Sequence, residues 1–279
     1  MLKRLIEGLR FPESPRWGEG CLWFSEKRAK RIVCVDNGTI INTLDVPGEP
    51  GGLGWDPEGR LLVVSMGDQR ILRLEGHGLL KEFAHLSELV RGKCNDMVVD
   101  QRGRAYVGDF GYDLLSGEDP APGHLVMVDL EGSARLVADD LDFPNGVVIH
   151  EERRLLIVAE SAAGRLTAFT VDDDGGLRDR RMFAELGSGV PDGICLDAEG
   201  AVWYADPLNC EVVRVEEGGR VLQKLSTGQE GAFACVLGGQ DGRNLYVCTY
   251  TESASVDPSA PRVGSILLAK VDVPTAGSP

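Results

Sequence analysis

Apolar residues along this chain gather in short runs separated by turn-forming residues. They do not recur every three or four positions as an amphipathic helix requires. Runs such as "LLVVS" (61–65), "LLIVAE" (155–160) and "LYVCTY" (245–250) each follow a tight turn and an earlier apolar run. This strand-turn-strand unit occurs six times: "ESPRWGEGCLWFSEK" from Glu13, "GGLGWDPEGRLLVVS" from Gly51, "NDMVVDQRGRAYVGD" from Asn95, "NGVVIHEERRLLIVAES" from Asn145, "DGICLDAEGAVWYADP" from Asp192 and "CVLGGQDGRNLYVCTY" from Cys235. Aligned on their turn residues (Gly18, Asp56, Asp100, His150, Asp197 and Gln240), the units start 38, 44, 50, 47 and 43 residues apart. A period in the forties with this content marks a β-propeller blade.

A third β-rich segment follows in every unit ("KRIVCVD", "QRILRLE", "GHLVMVDL", "GRLTAFTV", "CEVVRVEE", "GSILLAKVDV"), and a fourth in the first five. After "SILLAKVDV" only a short tail remains, whereas "LKRLIEGLR" at the N-terminus belongs to no unit. The expected fold is therefore an all-β, six-bladed propeller with four-stranded blades. It forms one domain over residues 1–279, and the N-terminal strand completes the last blade and closes the ring. Only "HLSELVRGK" (85–93) hints at a helix.

Composition narrows the function. Glycines number 36 and prolines 14, as many short elements joined by turns demand. A net charge of −15, from 29 basic and 44 acidic side chains, opposes binding to nucleic acid or an anionic membrane. No apolar run is long enough to span a bilayer, and the N-terminus is too polar for an export signal. The seven cysteines form no C-x-x-C pair and mostly sit in apolar runs, so reduced core thiols in a cytoplasmic protein are expected.

Candidate chemistry sits where the inner strands begin, because those residues face one mouth of the central channel. The aligned set is Glu13, Gly51, Asn95, Asn145, Asp192 and Cys235, four of them oxygen donors. Two carboxylates converging with two amides suit a hard divalent cation, Ca²⁺, Mg²⁺, Mn²⁺ or Zn²⁺; without one, Glu13 and Asp192 repel each other. Gly146 is expected to let the backbone bend so that the Asn145 amide points at the channel. Other signals are weaker. "DDDGG" (172–176) starts like an EF-hand loop but has Phe183 at its twelfth position, and reads as a hairpin turn. No nucleophile elbow, P-loop or dinucleotide fingerprint occurs, and histidines 77, 85, 124 and 150 fall in turn or surface-like contexts away from the inner-strand starts.

"FPESPRW" (11–17), "CNDMVVDQRGRAYVGD" (94–109), "FPNGVVI" (143–149) and "VPDGICLDAEGAVWYAD" (190–206) resemble, in order, the blade motifs of the regucalcin/gluconolactonase/luciferin-regenerating family, over essentially the whole chain. The resemblance implies one divalent metal held by Glu13, Asn145 and Asp192, with Asn95 against the substrate. Lys93 stands where regucalcin-type members carry an Arg, and Met97 where they carry a Gly; a Lys cannot repeat a bidentate Arg grip on sugar hydroxyls. Asp113, in the segment 109–124, falls near an acidic substrate contact. The implied activity is hydrolysis of a small lactone or ester, the metal polarising the carbonyl and Asp192 assisting water attack. Competing readings are a phosphotriester or fluorophosphate hydrolase on the same metal floor, a propeller like strictosidine synthase that relies on a different Glu, and a non-catalytic binding scaffold.

Overall fold

The computed structural model describes residues 1–113, 116–251 and 263–277. Each apolar run is a strand, and each unit is a four-stranded antiparallel sheet in sequential order. The inner strands are Pro12–Gly18, Pro50–Trp55, Cys94–Val99, Pro144–His150, Ile194–Leu196 and Gly231–Gly238. Four of the second strands, Leu61–Ser65, Ala105–Asp109, Leu155–Glu160 and Val202–Asp206, are buried along their whole length because both faces of each sheet are covered by neighbouring blades. The apolar interior is accordingly divided into six clusters, one between each pair of adjacent blades. Ile157 of the fourth blade, for example, packs with Ile194 and Tyr204 of the fifth.

The sixth sheet takes its outer strand from the other end of the chain. Lys3–Leu9 pairs antiparallel with Gly264–Lys270, from Lys3 opposite Leu268 to Leu9 opposite Gly264. Leu9 then enters the cluster of Leu22, Phe24, Val236 and Ile266 that joins the first and last blades. The fold is a six-bladed β-propeller closed by its N-terminal strand. Residues 85–93 form no helix: His85 ends a strand and the rest are turns, and no α-helix occurs among the described residues. No helix is long and apolar enough to cross a membrane among those residues.

Polar side chains at the two ends of each blade fix its register. At the hairpin end, Asp56 Oδ1 accepts the main-chain N–H groups of Glu58 and Arg60, while Arg60 Nε donates to Oδ2 at 2.7 Å. Asp100 repeats this with Arg102 and Arg104. The "DPEGR" and "DQRGR" turns are thus Asx turns locked by their own arginine. The "DDDGG" segment is likewise a hairpin turn, Asp172 N–H donating to Gly176 O at 2.8 Å.

At the opposite end, four second strands finish in a wholly buried acid: Glu26, Asp109, Glu160 and Asp206. Glu26 accepts Arg10 N–H at 2.6 Å, Asp109 accepts Gly92 N–H at 3.2 Å, Glu160 accepts Asp142 N–H at 2.8 Å and Asp206 accepts Val190 N–H at 3.1 Å. Each donor lies two or three residues before Glu13, Asn95, Asn145 or Asp192. The acids therefore pin the segments that deliver those side chains. Arg31 pairs with Glu26 and Arg165 with Glu160, while His124 Nδ1 lies 3.0 Å from Asp109 Oδ1. His124 is consequently a half-buried structural residue and not a surface one. Burial pushes the Glu160 carboxyl up, but its bonds from Arg165, Asp142 N–H and Thr167 outweigh that and hold it below the usual carboxylate range.

The inner strands approach closely where they enter the channel, and this explains the glycine after Asn145. A Cβ on Gly146 would stand 2.5 Å from Ile194 N and 2.7 Å from Asp192 O, and Gly146 N–H donates to that same oxygen at 3.1 Å. Its φ is not positive, so the expected bend is replaced by a requirement for space. Gly146→Ala is expected to cost about 1–3 kcal/mol through forced backbone displacement, read as a lowered urea midpoint at unchanged slope. For Glu160 the depressed carboxyl supplies stability that is present above its unfolded value and lost as pH falls through its folded one. Glu160→Gln should flatten the acid loss of stability below about pH 4.3, followed by urea denaturation across pH.

Candidate active site at the channel mouth

Glu13, Asn95 and Asn145 are each the second residue of an inner strand, and Asp192 lies two residues before the next one. All four are buried at the same end of the channel. Asn95 Nδ2 donates to Asn145 Oδ1 at 2.7 Å, and Asn145 Nδ2 donates to Ser161 Oγ at 3.2 Å. Ser161 in turn donates to Pro191 O at 2.6 Å, tying the fourth blade to the segment that carries Asp192. The sixth expected position, Cys235, is corrected. Ala232 pairs with Thr249 as Pro12 pairs with Glu26, so the residue in register with Glu13 is Phe233, at a bulge. Gln240 lies two residues past the end of its strand at Gly238, and aligning on it displaced the register by two. Cys235 instead sits deeper, its Sγ 3.7 Å from that of Cys195.

Lys27, which sequence reasoning passed over, is the cation of this centre. It follows the second strand directly, in the position that Ser161 holds in the fourth blade: Lys27 N–H donates to Phe11 O as Ser161 N–H donates to Phe143 O. Its Nζ lies 3.0 Å from Glu13 Oε1 and is almost wholly buried. Burial alone would lower the ammonium's pKa, but the Glu13 and Asp192 carboxylates outweigh it and hold the pKa above its ordinary value. Asp192 behaves oppositely. Burial first, and the Glu13 charge next, push its carboxyl well above the usual range, against the pull of Lys27 and a hydrogen bond from Asn145. Just inside the mouth Arg16 bridges the channel to Asp96 at 2.7 Å, pairing the first blade with the third.

The donor set fits a hard divalent cation. Asp192 Oδ1 is buried without a hydrogen-bond partner, and the Asn145 amide oxygen keeps a second lone pair beside it. Among the described residues no three His, Cys, Asp or Glu side chains gather, so Glu13 and Asp192 depend on Asn145 for a third oxygen ligand. Lys27 leaves the trio of charges at one net negative.

The rim contains the remaining expected residues and several that were not foreseen. Lys93 Nζ lies 3.3 Å from Glu49 Oε2, and both are half-exposed at the register of Phe11 and Phe143. Asp113 is not brought to the central four by its described bonds: its Oδ1 accepts Ser116 N–H at 3.3 Å and its own N–H donates to Glu118 Oε2 at 2.9 Å. Residues 114 and 115 of that loop lie outside the described residues. Aromatic rings wall the mouth on opposite sides. Phe11 meets Phe233 at 4.9 Å and Tyr250 at 4.8 Å, whereas Phe143 stacks on Phe110 at 4.3 Å and meets Tyr112 at 5.6 Å. Phe11 and Phe143 both adopt positive φ, 65° and 59°, an uncommon state for an aromatic residue. The repeated Phe-Pro ahead of "ES" and "NG" was the signal for these walls.

Removing Lys27 alone strands two buried carboxylates. Lys27→Met is expected to destabilise the metal-free protein by about 3–5 kcal/mol, and adding Glu13→Gln should recover much of that loss. Urea denaturation of both single variants and the double variant checks the coupling.

Comparison with known proteins agrees with this architecture. Residues 11–251 match the model of the SMP-30/gluconolactonase/LRE-like region. A 6-deoxy-6-sulfogluconolactonase of Pseudomonas putida is 29% identical over 280 residues, covering 96% of this chain and 93% of the relative. A pentonolactonase of Haloferax volcanii is 26% identical over 248 residues, 85% of this chain and 82% of the relative. Among solved structures, a luciferin-regenerating enzyme superposes with a TM-score of 0.84 at 16% identity, covering 99% of this chain and 97% of the other, a likeness of fold. With most of its length matched, the chain belongs to the SMP-30/gluconolactonase/LRE-like family.

Proposed function

We propose that this protein hydrolyses a small lactone at the channel mouth, with a divalent metal held by Glu13, Asn145 and Asp192. The observation that carries the reading is the buried Asp192 carboxylate, whose Oδ1 lacks a partner and whose affinity for a proton is raised. The similarity to two lactonases supports the substrate class. When bound, a divalent cation polarises the lactone carbonyl and stabilises the oxyanion.

The chain's own residues do the rest. The Asp192 carboxylate takes a proton from water as the water oxygen bonds to the carbonyl carbon. The ring C–O bond then breaks, and the same proton passes to the departing alkoxide, giving an open hydroxy acid. Asn95 fixes the Asn145 amide, while Lys93 and Asp113 at the rim are assigned to substrate hydroxyls. The two aromatic walls flank the lactone ring and limit access of bulk water. All seven cysteines are free thiols, which fits work in a reducing cytoplasm.

Elemental analysis of the purified protein, followed by initial rates on an aldonolactone panel with and without a chelator, tests the metal. Chelation should abolish turnover, and one of Ca²⁺, Mg²⁺, Mn²⁺ or Zn²⁺ should restore it; an unchanged rate in metal-free protein refutes the metal. Asp192→Asn is expected to lower kcat about 10²–10⁴-fold with the fold intact, and full activity in that variant removes Asp192 from the reaction. A paraoxon-type phosphotriester run in parallel is expected to be the poorer substrate.

A further inference from the structure

The ionic groups closest to the mouth are paired: Lys27 with Glu13, Lys93 with Glu49, Arg16 with Asp96. Arg28 is the exception. In a chain with 44 acidic side chains, no carboxylate among the described residues pairs with this guanidinium, which is exposed. Yet it is held in place. Its Cζ lies 5.5 Å from the Phe11 ring centroid and 5.0 Å from that of Tyr250, and its Nη1 donates to the Tyr250 hydroxyl at 2.7 Å.

Its main-chain N–H is fixed as well, donating to Arg10 O at 3.2 Å. The same Phe11 ring also carries Lys27 Nζ at 5.5 Å. Phe11 therefore links the free cation to the centre that contains Glu13. Phe233, edge-on to Phe11, occupies the inner-strand register beside Asp192, whose neighbour Gly193 donates its N–H to Phe233 O at 2.9 Å.

A guanidinium has five N–H donors, and a single one is used among the described residues, so an edge remains for an anion. Ring stacking pre-organises the group and reduces the side-chain entropy lost on binding. A structural role alone needs neither the exposed edge nor the lack of a carboxylate partner among the described residues.

We propose that Arg28 is an anion subsite, and that the lactone carries an anionic substituent, a sulfonate, carboxylate or phosphate, at the end remote from the reacting carbonyl. This rests on the lactonase reading and specifies its substrate class. Recognition would combine bidentate hydrogen bonds from the guanidinium with packing of the substrate's carbon skeleton on Phe11 and Tyr250.

The test uses a six-carbon aldonolactone and the same ring bearing a terminal sulfonate, carboxylate or phosphate. The native protein is expected to show at least about tenfold higher kcat/KM for one or more of the anionic lactones than for the neutral one, through KM. Arg28→Gln should remove that preference by raising KM for the anionic lactones, and Arg28→Lys should restore part of it. The proposal is overturned if the native protein has no anionic preference, or if Arg28→Gln lowers neutral and anionic turnover alike. Which anionic group is favoured identifies the substituent. Should none of the lactones be hydrolysed, the lactonase reading fails, and calorimetric titration with the open-chain anionic aldonates decides Arg28 separately. Affinity about tenfold weaker in Arg28→Gln supports the subsite, and equal affinity overturns it.

Discussion

Buried carboxylates that accept main-chain N–H groups hold the candidate site together. Glu26, Asp109, Glu160 and Asp206 each stand at the top of a second strand and bind the segment leading into an inner strand. Removing a carboxylate from water is costly unless charge-assisted bonds replace hydration. The same bonds that satisfy each acid therefore leave the approaching chain one position to occupy. Four blades use this device, and they are the four that present Glu13, Asn95, Asn145 and Asp192. The second and sixth blades end their second strands in Ser65 and Thr249 at the equivalent place, and they contribute Gly51 and Phe233.

Within that frame the electrostatics are deliberately unbalanced. Glu13 and Asp192 approach across the channel, and Lys27 compensates one of them. Burial and the Glu13 charge raise the proton affinity of Asp192, whose Oδ1 has no hydrogen-bond partner. The Arg16–Asp96 bridge pairs a second set of buried charges across the first and third blades. The least comfortable side chain in the metal-free protein is thus the one to which the proposed chemistry is assigned.

Much of this was legible in the sequence because a propeller writes its architecture repeatedly. Strand spacing, the six units and the clasp formed by "LKRLIEGLR" follow from local pattern, and so does the common register of Glu13, Asn95, Asn145 and Asp192. What escaped depends on neighbours from other blades. Cys235 was displaced because its hairpin places Gln240 two residues past the strand end at Gly238, which a fixed count from the turn cannot see. Gly146 was read as a bend, when its constraint comes from Ile194 and Asp192 in the next sheet. Lys27 looked like an ordinary charged turn residue, and its burial is visible only once Phe11 and Glu13 close around it. Asp113 kept its described bonds inside its own loop, as loop residues without strand register often do.

The clasp has a consequence for how the protein comes into being. Arg4 and Ser265, which meet in the last blade, are 261 positions apart in the chain. At about 5–20 residues per second, the first strand waits roughly 13–50 s on the ribosome before its partner exists. During that interval it is an unpaired edge, and Lys3, Arg4 and Glu7 give it the charge that discourages pairing with another nascent chain. Closure of the ring thus waits on a contact between strands that synthesis separates by 261 residues.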